Sequence, residues 1–567
     1  MLVYGHRTFR LNVARFTREL ARRVNGLPVR PSHDALVYLL VDFGEAEAAV
    51  ADERAPREDD APDGACAAWH RTAAALADAY CASARGDDVA PALTRLRKAV
   101  GDLDCRDWPA TATARTAEGF AHYALFPEQY IAAVDRLLAE TRPASLIFIG
   151  LRSIGSILAQ VAAAASRGAG VPADVVSVRP RGHPFDRRLA ITPKLADFFA
   201  RSAASRFAIV DEGPGLSGSS FAAAADRLAS CGIEASRIVF LPAWEAGADR
   251  FVSDRGRRAW AAHRHFVVPF TPSWTSGLAD LSAGRWRPRV LSDGSAWPPV
   301  QPQHERRKYL EEGTGAPVVF RFAGLGRYGT AKHARATALA AAGFGPDPVA
   351  LRDGFLGLGW MTGSPLTPRA PVTAALLDRL ADYAAFVRRF EIGMRDDVAE
   401  LARAAVSNVH EAIGPHGADI VAALGRDASL FAGPRVAVDG RLLPHEWIET
   451  AAGLVKTDAL DHHADDFLPG CRHVAWDLAG ASVEFALRPA EEAALVGRYI
   501  ARSGDRDAAR QLPFYSAAYL GYRFAYATLC ADTLGPTKDG IAFRRLARRY
   551  RRSLAGRLRC RPAGPRR

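Results

Sequence analysis

The sequence has few cysteines and no long apolar run, and both absences limit the classes of protein to which it can belong. Seven cysteines are scattered among 567 residues without a C-x-x-C pair, so neither a disulfide framework nor a zinc site is expected. No stretch of about 18 uncharged apolar residues occurs, and the first residues, MLVYGHRTFRLN, lack the continuous apolar region of a signal peptide. We therefore expect a cytoplasmic protein without a membrane span.

Lysine is also scarce, whereas alanine, arginine and glycine are abundant, a composition typical of a GC-rich bacterial genome. The formal net charge is +12, and much of it lies in 543–567. There Phe543, Leu546, Tyr550 and Leu554 recur at helical spacing, with arginines on the other side. Three interpretations stay open for this basic tail: a solvated terminal helix, a contact for RNA or an acidic partner, and a membrane-surface helix.

The length predicts about three domains. Residues 1–139 are predicted to be mostly helical, with a strand at ALVYLLVDFG and a flexible polar loop over 45–64. The remaining predicted segments are a sheet domain (140–284), a linker rich in proline and tryptophan (285–303), a second globular domain (304–542) and the basic tail (543–567).

The stretch RFAIVDEGPGLSGSSFAAAADRL, residues 206–228, reads as a buried strand, a small-residue loop and a helix. Asp211 and Glu212 end the strand, where open parallel sheets bind their ligands. The loop that follows offers backbone N–H groups and hydroxyls at the positive end of a helix, an anion cradle. Its candidate ligand-binding residues are Gly213, Gly215, Leu216, Ser217, Gly218, Ser219 and Ser220. Carboxylates beside a phosphate cradle predict a phosphorylated ribose, with a sugar diol or hydrated magnesium at the acidic pair.

Two segments upstream add to this pattern. SLIFIGLRSIGSILAQVAAAA (145–165) repeats the strand, loop and helix, and Gly150, Leu151, Arg152 and Ser153 give backbone access and a guanidinium suited to phosphate. DVVSVRPRGHPFDRRLAI (174–191) supplies a strand and a basic loop, in which Arg181 and His183 join Asp211 and Glu212 as candidate catalytic residues. A simple strand-to-helix turn and a solvated surface loop remain the alternatives for these two segments.

Together the three segments resemble type I phosphoribosyltransferases, although Glu212 and the run GPGLSGSS depart from the usual pattern. The resemblance implies a Rossmann-like parallel-sheet core, in which the acidic pair contacts the ribose 2′ and 3′ hydroxyls and Gly215 to Ser219 hold the 5′-phosphate. It also implies Mg²⁺ and phosphoribosyl diphosphate (PRPP) as cofactor and co-substrate, a mobile loop that closes over the diphosphate, and frequent homodimers. Residues 1–139 would then be a candidate for the hood, the part of such enzymes that binds the acceptor.

Residues 304–542 resemble, more distantly, the aminoglycoside-phosphotransferase and choline-kinase families, which implies an α+β domain. In that alignment Arg441 falls at the catalytic aspartate, Glu446 at the metal-binding asparagine, Asp458 at the metal-binding aspartate and Asp477 at a structural aspartate. Arg321 replaces the phosphate-pairing lysine. Glu446, Asp458 and Asp461 are thus candidates for Mg²⁺ and ATP, and the alternative is a retained scaffold that binds substrate or partner. For KTDALDHHADD, a solvated acidic loop and a magnesium site stay equally open.

The sequence therefore predicts a magnesium-dependent transfer of phosphoribose from PRPP to an unidentified small-molecule acceptor, with release of pyrophosphate, by a protein that also carries a kinase-like domain. Two alternative functions involve the same ligand pocket or the basic tail. One is a catalytically inactive sensor of PRPP or nucleotides that binds RNA through the basic tail. The other is a hydrolase in which water is the acceptor.

Overall fold

A computed structural model describes residues 2–5, 7–62, 64, 66–103, 108–247, 251–292, 294, 297–313, 315–395, 398–426, 433–467 and 470–559. The chain is a mixed α/β protein that divides into two compact units. The amino-terminal unit comprises residues 8–276 and 324–330, and the carboxyl-terminal unit comprises residues 1–7, 277–323 and 331–567. In the described ranges no helix is both long enough and apolar enough to cross a bilayer.

The amino-terminal unit contains helices packed around a parallel sheet. Its strands are β1 (Thr8–Asn12), β2 (Thr111–Arg115), β3 (Leu146–Leu151), β4 (Ala173–Val178), β5 (Arg181–His183), β6 (Asp186–Arg188), β7 (Arg206–Val210), β8 (Ile238–Leu241) and β9 (Arg264–His265). Its helices are α1 (Val13–Asn25), α2 (His33–Arg54), α3 (Ala67–Arg85), α4 (Ala90–Gly101), α5 (Glu118–Ala121), α6 (Glu128–Thr141), α7 (Ile154–Gly168), α8 (Pro193–Arg201), α9 (Ser219–Ser230) and α10 (Asp254–Ala262).

The central sheet has the order β4-β3-β7-β8-β9, and every pair in it is parallel. All six residues of β3 are buried, which is the reason that its sequence LIFIGL is apolar at successive positions rather than alternating. The strands predicted from 145, 174, 206 and 237 onward all belong to this sheet. From β3 the chain continues to β4 on one side, and from β7 it continues to β8 on the other side. The direction in which strands are added therefore changes between β3 and β7.

Helix α2 corrects two predictions about the amino-terminal region. ALVYLLVDFG is helical rather than a strand, and the helix continues through Arg54, so the polar loop predicted over 45–64 is helical in its first half. Ser32 caps the helix by accepting a hydrogen bond from the Ala35 N–H. Residues 45–51 are buried, because the helix is surrounded by protein and its apolar positions therefore show no single stripe.

The carboxyl-terminal unit combines an antiparallel sheet with a helical bundle. Its strands are β10 (Ala279–Asp280), β11 (Lys308–Glu311), β12 (Val318–Phe322), β13 (Pro348–Arg352), β14 (Phe355–Gly359), β15 (Ser364–Pro365), β16 (Glu391–Arg395), β17 (Pro434–Val436), β18 (Trp447–Thr450) and β19 (Gly453–Lys456). Its helices are α11 (Arg287–Val290), α12 (Arg327–Ala341), α13 (Ala374–Val387), α14 (Val398–Ile413), α15 (Pro415–Leu424), α16 (Ala475–Glu484), α17 (Pro489–Ser503), α18 (Asp507–Leu534) and α19 (Lys538–Arg559). The five-stranded sheet has the order β10-β11-β12-β14-β13.

The basic tail is an integral helix of this unit. Phe543, Tyr550 and Leu554 of α19 are buried in the same core as Trp447 and Trp476, which confirms the predicted apolar side of the helix. The stretch predicted to be a linker, 285–303, includes α11 and lies within this unit. Residues 560–567, the end of the predicted tail, lie outside the described residues.

Candidate functional site

The carboxyl edge of the parallel sheet brings the predicted loops together. Because β4 and β7 lie on opposite sides of β3, the connections leaving β3 and β7 turn in opposite directions and leave a crevice between them. The two loops touch there: a Cβ added to Gly155 would overlap the Val210 carbonyl and lie 3.2 Å from the Cα of Asp211. A glycine is therefore required at this contact, and the loops at 150–155 and 211–220 form one site.

Asp211 and Glu212 lie half-buried at this edge. One carboxylate oxygen of Asp211 accepts a hydrogen bond from the Glu212 N–H at 2.9 Å, and Oε2 of Glu212 accepts one from the Gly119 N–H at 2.9 Å. Within the described part of the chain neither carboxylate makes an ion pair. Burial raises the pKa of Asp211 to about 7, and burial together with the charges of Glu118 and Asp211 raises the pKa of Glu212 to about 8.

The loop between β7 and α9 has the backbone geometry of an anion cradle. Gly215 and Gly218 have φ values of 60° and 64°, in the left-handed region that favours glycine, and Gly218 immediately precedes α9. Gly215 and Leu216 are exposed. The hydroxyls of Ser217 and Ser219 donate to the Pro184 carbonyl at 2.9 and 2.7 Å. The predicted strand, small-residue loop and helix are thus present, and two hydroxyls of the loop contact a neighbouring segment.

That segment is the predicted mobile basic loop, which forms the hairpin β5–β6. Its turn follows His183, which is exposed, and the Pro184 carbonyl lies over the cradle. Arg255 anchors the other strand by donating to the Arg187 carbonyl at 2.7 Å. The hairpin therefore lies beside the loop between β7 and α9.

The side chains of Arg152 and Arg181 serve a different purpose from the one predicted. Arg152 donates to Asp59 at 2.8 Å and to Asp52 at 3.2 Å, and its side chain is 3% exposed. Arg181 also pairs with Asp59, at 3.1 Å, and Arg179 pairs with Asp52. Because carboxylates already compensate these guanidinium groups, we correct the expectation that Arg152 offers a free cationic fork. The ligand-binding part of its loop is the backbone from Gly150 to Ser153.

Sequence reasoning missed two side chains at this edge. Trp244 follows β8, is 42% exposed, and packs against Gly213 so closely that a Cβ there would overlap the indole. Glu118 begins α5, the short helix whose Gly119 N–H binds Glu212. The rule that ligands bind at the carboxyl ends of parallel strands would have indicated Trp244, but no local pattern indicates Glu118.

The second predicted site, in the carboxyl-terminal unit, is a buried network of alternating charges. Lys456 is fully buried and pairs with Glu446 at 2.7 Å and with Asp439 at 3.2 Å. Arg441, which aligned with a catalytic aspartate, lies 3.5 Å from Glu446 and 3.4 Å from Asp458. A cation of the protein therefore stands beside each candidate metal ligand in this part of the network.

Arg321 completes the network by pairing with two carboxylates. It donates to Asp458 at 2.6 Å and to Asp461 at 3.1 Å. Asp461 also pairs with Arg306 at 3.1 Å and with Lys332 at 3.4 Å. These cations hold the pKa values of Asp458 and Asp461 well below the usual range, against the opposing effect of burial.

Glu446, Asp458 and His462 are close enough to share a metal ion, with ligand atoms within 4.8 Å of one another. However, Asp458 and Asp439 raise the pKa of His462 to about 9 despite its burial, and a protonated imidazole cannot ligate a metal. The two carboxylates are bound by Lys456, Arg321 and Arg441. The residues as they are arranged do not fit Mg²⁺, so we derive no step through a metal there.

Asp477 has the structural contacts expected from its alignment. Its two carboxylate oxygens accept hydrogen bonds from the N–H groups of Asp439 and Gly440, at 2.8 and 2.9 Å. These bonds fix the backbone turn that leads to Arg441. The contact explains why a buried carboxylate is retained at this position of α16.

Comparisons with known proteins find partial similarity to solved kinase structures. No protein-family model and no curated protein matches the sequence. A choline/ethanolamine kinase family protein from Mesorhizobium loti is 14% identical, with a TM-score of 0.32 over 45% of this chain and 85% of that chain. A macrolide 2′-phosphotransferase type I gives 15% and 0.31 over 42% and 87%, and the choline kinase LicA from Streptococcus pneumoniae gives 16% and 0.29 over 43% and 89%. Values this low establish neither an activity nor a substrate.

Proposed function

We propose that the amino-terminal unit is a magnesium-dependent phosphoribosyltransferase, which transfers phosphoribose from PRPP to a small-molecule acceptor. The observation that carries the proposal is the pair Asp211 and Glu212, which is half-buried, without an ionic partner among the described residues, and directly beside an anion cradle. Buried carboxylates are costly without a partner. A ligand that brings hydroxyl donors, a cation and a phosphate together would supply what this edge of the sheet lacks.

The roles of the residues follow from their positions. The backbone of the loop from Gly213 to Ser220 and the N-terminus of α9 would bind the 5′-phosphate. Asp211 and Glu212 would accept hydrogen bonds from the ribose 2′ and 3′ hydroxyls and so hold C1 in place. The backbone from Gly150 to Ser153 would face the pyrophosphate.

The residues present also fit a divalent cation. Asp211 and Glu212 are oxygen donors that make no ion pair with the described residues, although the charges of Arg179 and Arg187 act on Asp211, and such donors suit Mg²⁺. When bound, the ion supplies charge neutralisation for the departing pyrophosphate. The bond from C1 to the pyrophosphate oxygen breaks with its electron pair leaving on that oxygen, and a nucleophilic atom of the acceptor forms the new bond to C1.

The acceptor would approach over Trp244 and α5. The exposed indole packs on Gly213, next to the acidic pair, and an aromatic face there can stack on a planar acceptor. The Ser217 and Ser219 hydroxyls hold the β5–β6 hairpin against the cradle. Opening of the hairpin would admit the ligand, and its return would exclude water.

The test is calorimetric binding of PRPP with Mg²⁺ to the wild type, to Asp211→Asn/Glu212→Gln, and to the control Asp197→Asn/Glu234→Gln, whose two side chains are exposed in the same unit. We expect the wild type and the control to bind and the first variant to lose binding. Because the free carboxylates have pKa values of about 7 and 8, binding at pH 7 should also release protons, seen as a dependence of the measured enthalpy on the buffer. Absence of binding by folded wild type would refute the proposal.

A second candidate function is phosphotransfer from ATP by the carboxyl-terminal unit. The buried carboxylates Glu446 and Asp458 lie together there, but Mg²⁺ could bind them only after displacing the cations Arg441 and Lys456 that contact them. The test is ATP binding and hydrolysis by the full chain, with Asp458→Asn as the variant. Activity that depends on Asp458 would establish this function, and absence of ATP binding would leave the unit as a scaffold.

A further inference from the structure

A groove of about 860 Å³ lies in the carboxyl-terminal unit, between α19 on one side and α15 with the end of α14 on the other. Its lining is basic on one wall and apolar on the floor. The lining residues are Ile413, His416, Gly417, Ile420, Arg545, Arg548, Arg551, Arg552, Ala555, Leu558 and Arg559. Neither of the two candidate functions above uses any of them.

The arginines of the groove differ from the other arginines of the same helix. Arg549 and Arg557 pair with Glu484 and Glu492. The five arginines that line the groove are exposed, and none pairs with a carboxylate of the residues that the structure describes. Charges without such partners create a strongly positive surface that attracts an anion.

The length of this surface indicates a polymer rather than a small anion. Four of these arginines, Arg545, Arg548, Arg551 and Arg552, lie within two turns of α19, and Arg559 follows two turns later on the same side of the helix. At a rise of 1.5 Å per residue the row is about 21 Å long. A single phosphate or mononucleotide would reach only part of it, whereas a chain of phosphates would meet each guanidinium in turn.

The burial of α19 argues against a membrane as the partner. An amphipathic helix binds lipid by inserting its apolar face. In α19 that face, including Phe543, Tyr550 and Leu554, is already buried in the protein core. The exposed arginine face can therefore attract a partner only through its charge.

We propose that this groove binds single-stranded nucleic acid through its phosphate backbone. The guanidinium groups would hold the phosphates, and the floor of Ile413, Ile420 and Leu558 would contact sugars and bases. The lining contains no Phe, Tyr or Trp, so base stacking, the usual means of single-strand recognition, is limited to His416 and the arginine planes. Binding should therefore depend on salt and little on sequence.

The experiment measures fluorescence anisotropy of a labelled 20-nucleotide polyuridine RNA with the full chain over a range of salt concentrations. For single strands the slope of log K against log salt is about −0.7 per phosphate contact, so five contacts predict a slope of about −3.5. Arg545→Gln/Arg548→Gln/Arg552→Gln should reduce it to about −1.4. The control, with the same loss of charge at exposed sites elsewhere in the unit, is R369Q/R488Q/R510Q, and it should keep the wild-type slope.

Three outcomes would overturn the proposal: no RNA binding by the wild type, equal slopes for the groove variant and the control, or binding to phosphatidylserine vesicles that depends on the same arginines while RNA is not bound. A thermal unfolding curve for each variant separates loss of binding from loss of folding. A second groove variant, Arg548→Lys/Arg552→Lys, keeps the charge and should retain most of the salt dependence, because the phosphate term depends on charge more than on guanidinium shape.

Discussion

The acidic pair at the sheet edge should make the unliganded protein less stable as the pH rises. The pKa values of Asp211 and Glu212 are about 7 and about 8 in the folded state, against 3.8 and 4.5 for the ordinary groups. Because the folded-state values are raised, the stabilising contribution of the protonated forms is complete below about pH 4 and is lost as the pH rises to about 8. This direction is opposite to that of a carboxylate in an ion pair.

Each unit of difference in pKa corresponds to about 1.4 kcal/mol. For one carboxylate the limit is therefore about 4 to 5 kcal/mol, and water at the half-exposed edge reduces it, so we expect a loss of about 3 to 5 kcal/mol for the pair. The substitution Asp211→Asn/Glu212→Gln should remove the loss, and the variant should be more stable than the wild type at pH 9.

The assay is hydrogen exchange of the peptide spanning 206–221, together with urea unfolding, at pH values from 5 to 9 after correction for the intrinsic exchange rate. The wild type should lose protection in this segment with increasing pH, and the exposed control Asp197→Asn/Glu234→Gln should behave like it. If the acid-pair variant loses stability as steeply as the wild type, the carboxylates are compensated by something else and the electrostatic reasoning is wrong.

Three further predictions concern other contacts. Lys456→Met should destabilise the carboxyl-terminal unit by about 3 to 5 kcal/mol in urea unfolding, because it leaves buried carboxylates without their cation, and an unchanged midpoint would contradict the network. Ser217→Ala/Ser219→Ala should speed proteolytic cleavage at the β5–β6 hairpin several-fold, since both hydroxyls bind the Pro184 carbonyl; equal cleavage rates would show that they do not restrain it. Glu484→Gln should lower stability by about 3 kcal/mol, because the carboxylate, 1% exposed, pairs with two arginines, and a loss below 1 kcal/mol would argue against that pairing.

The sequence by itself determined the local parts of the candidate site. A continuous apolar run, an acidic pair and a small-residue loop before an alanine-rich helix predicted β7, the cradle and α9, because strand burial and turn chemistry depend on neighbouring residues. The same holds for the apolar side of α19. The strand predicted at ALVYLLVDFG was wrong, since a fully buried helix shows no periodic stripe that separates it from a buried strand.

Only the tertiary structure decided which charges are compensated. Asp59 lies 93 positions before Arg152 in the chain, and the fold brings its carboxylate against that guanidinium. Lys456 likewise pairs with Glu446 and Asp439, which come from other segments of the chain. An arginine or aspartate in a sequence motif indicates which kinds of ligand it can bind. Whether a side chain of the protein already pairs with it depends on how distant segments pack together. For that reason the strand, loop and helix could be predicted from neighbouring residues, while the absence of an ion pair at Asp211 and Glu212 within the described ranges could not.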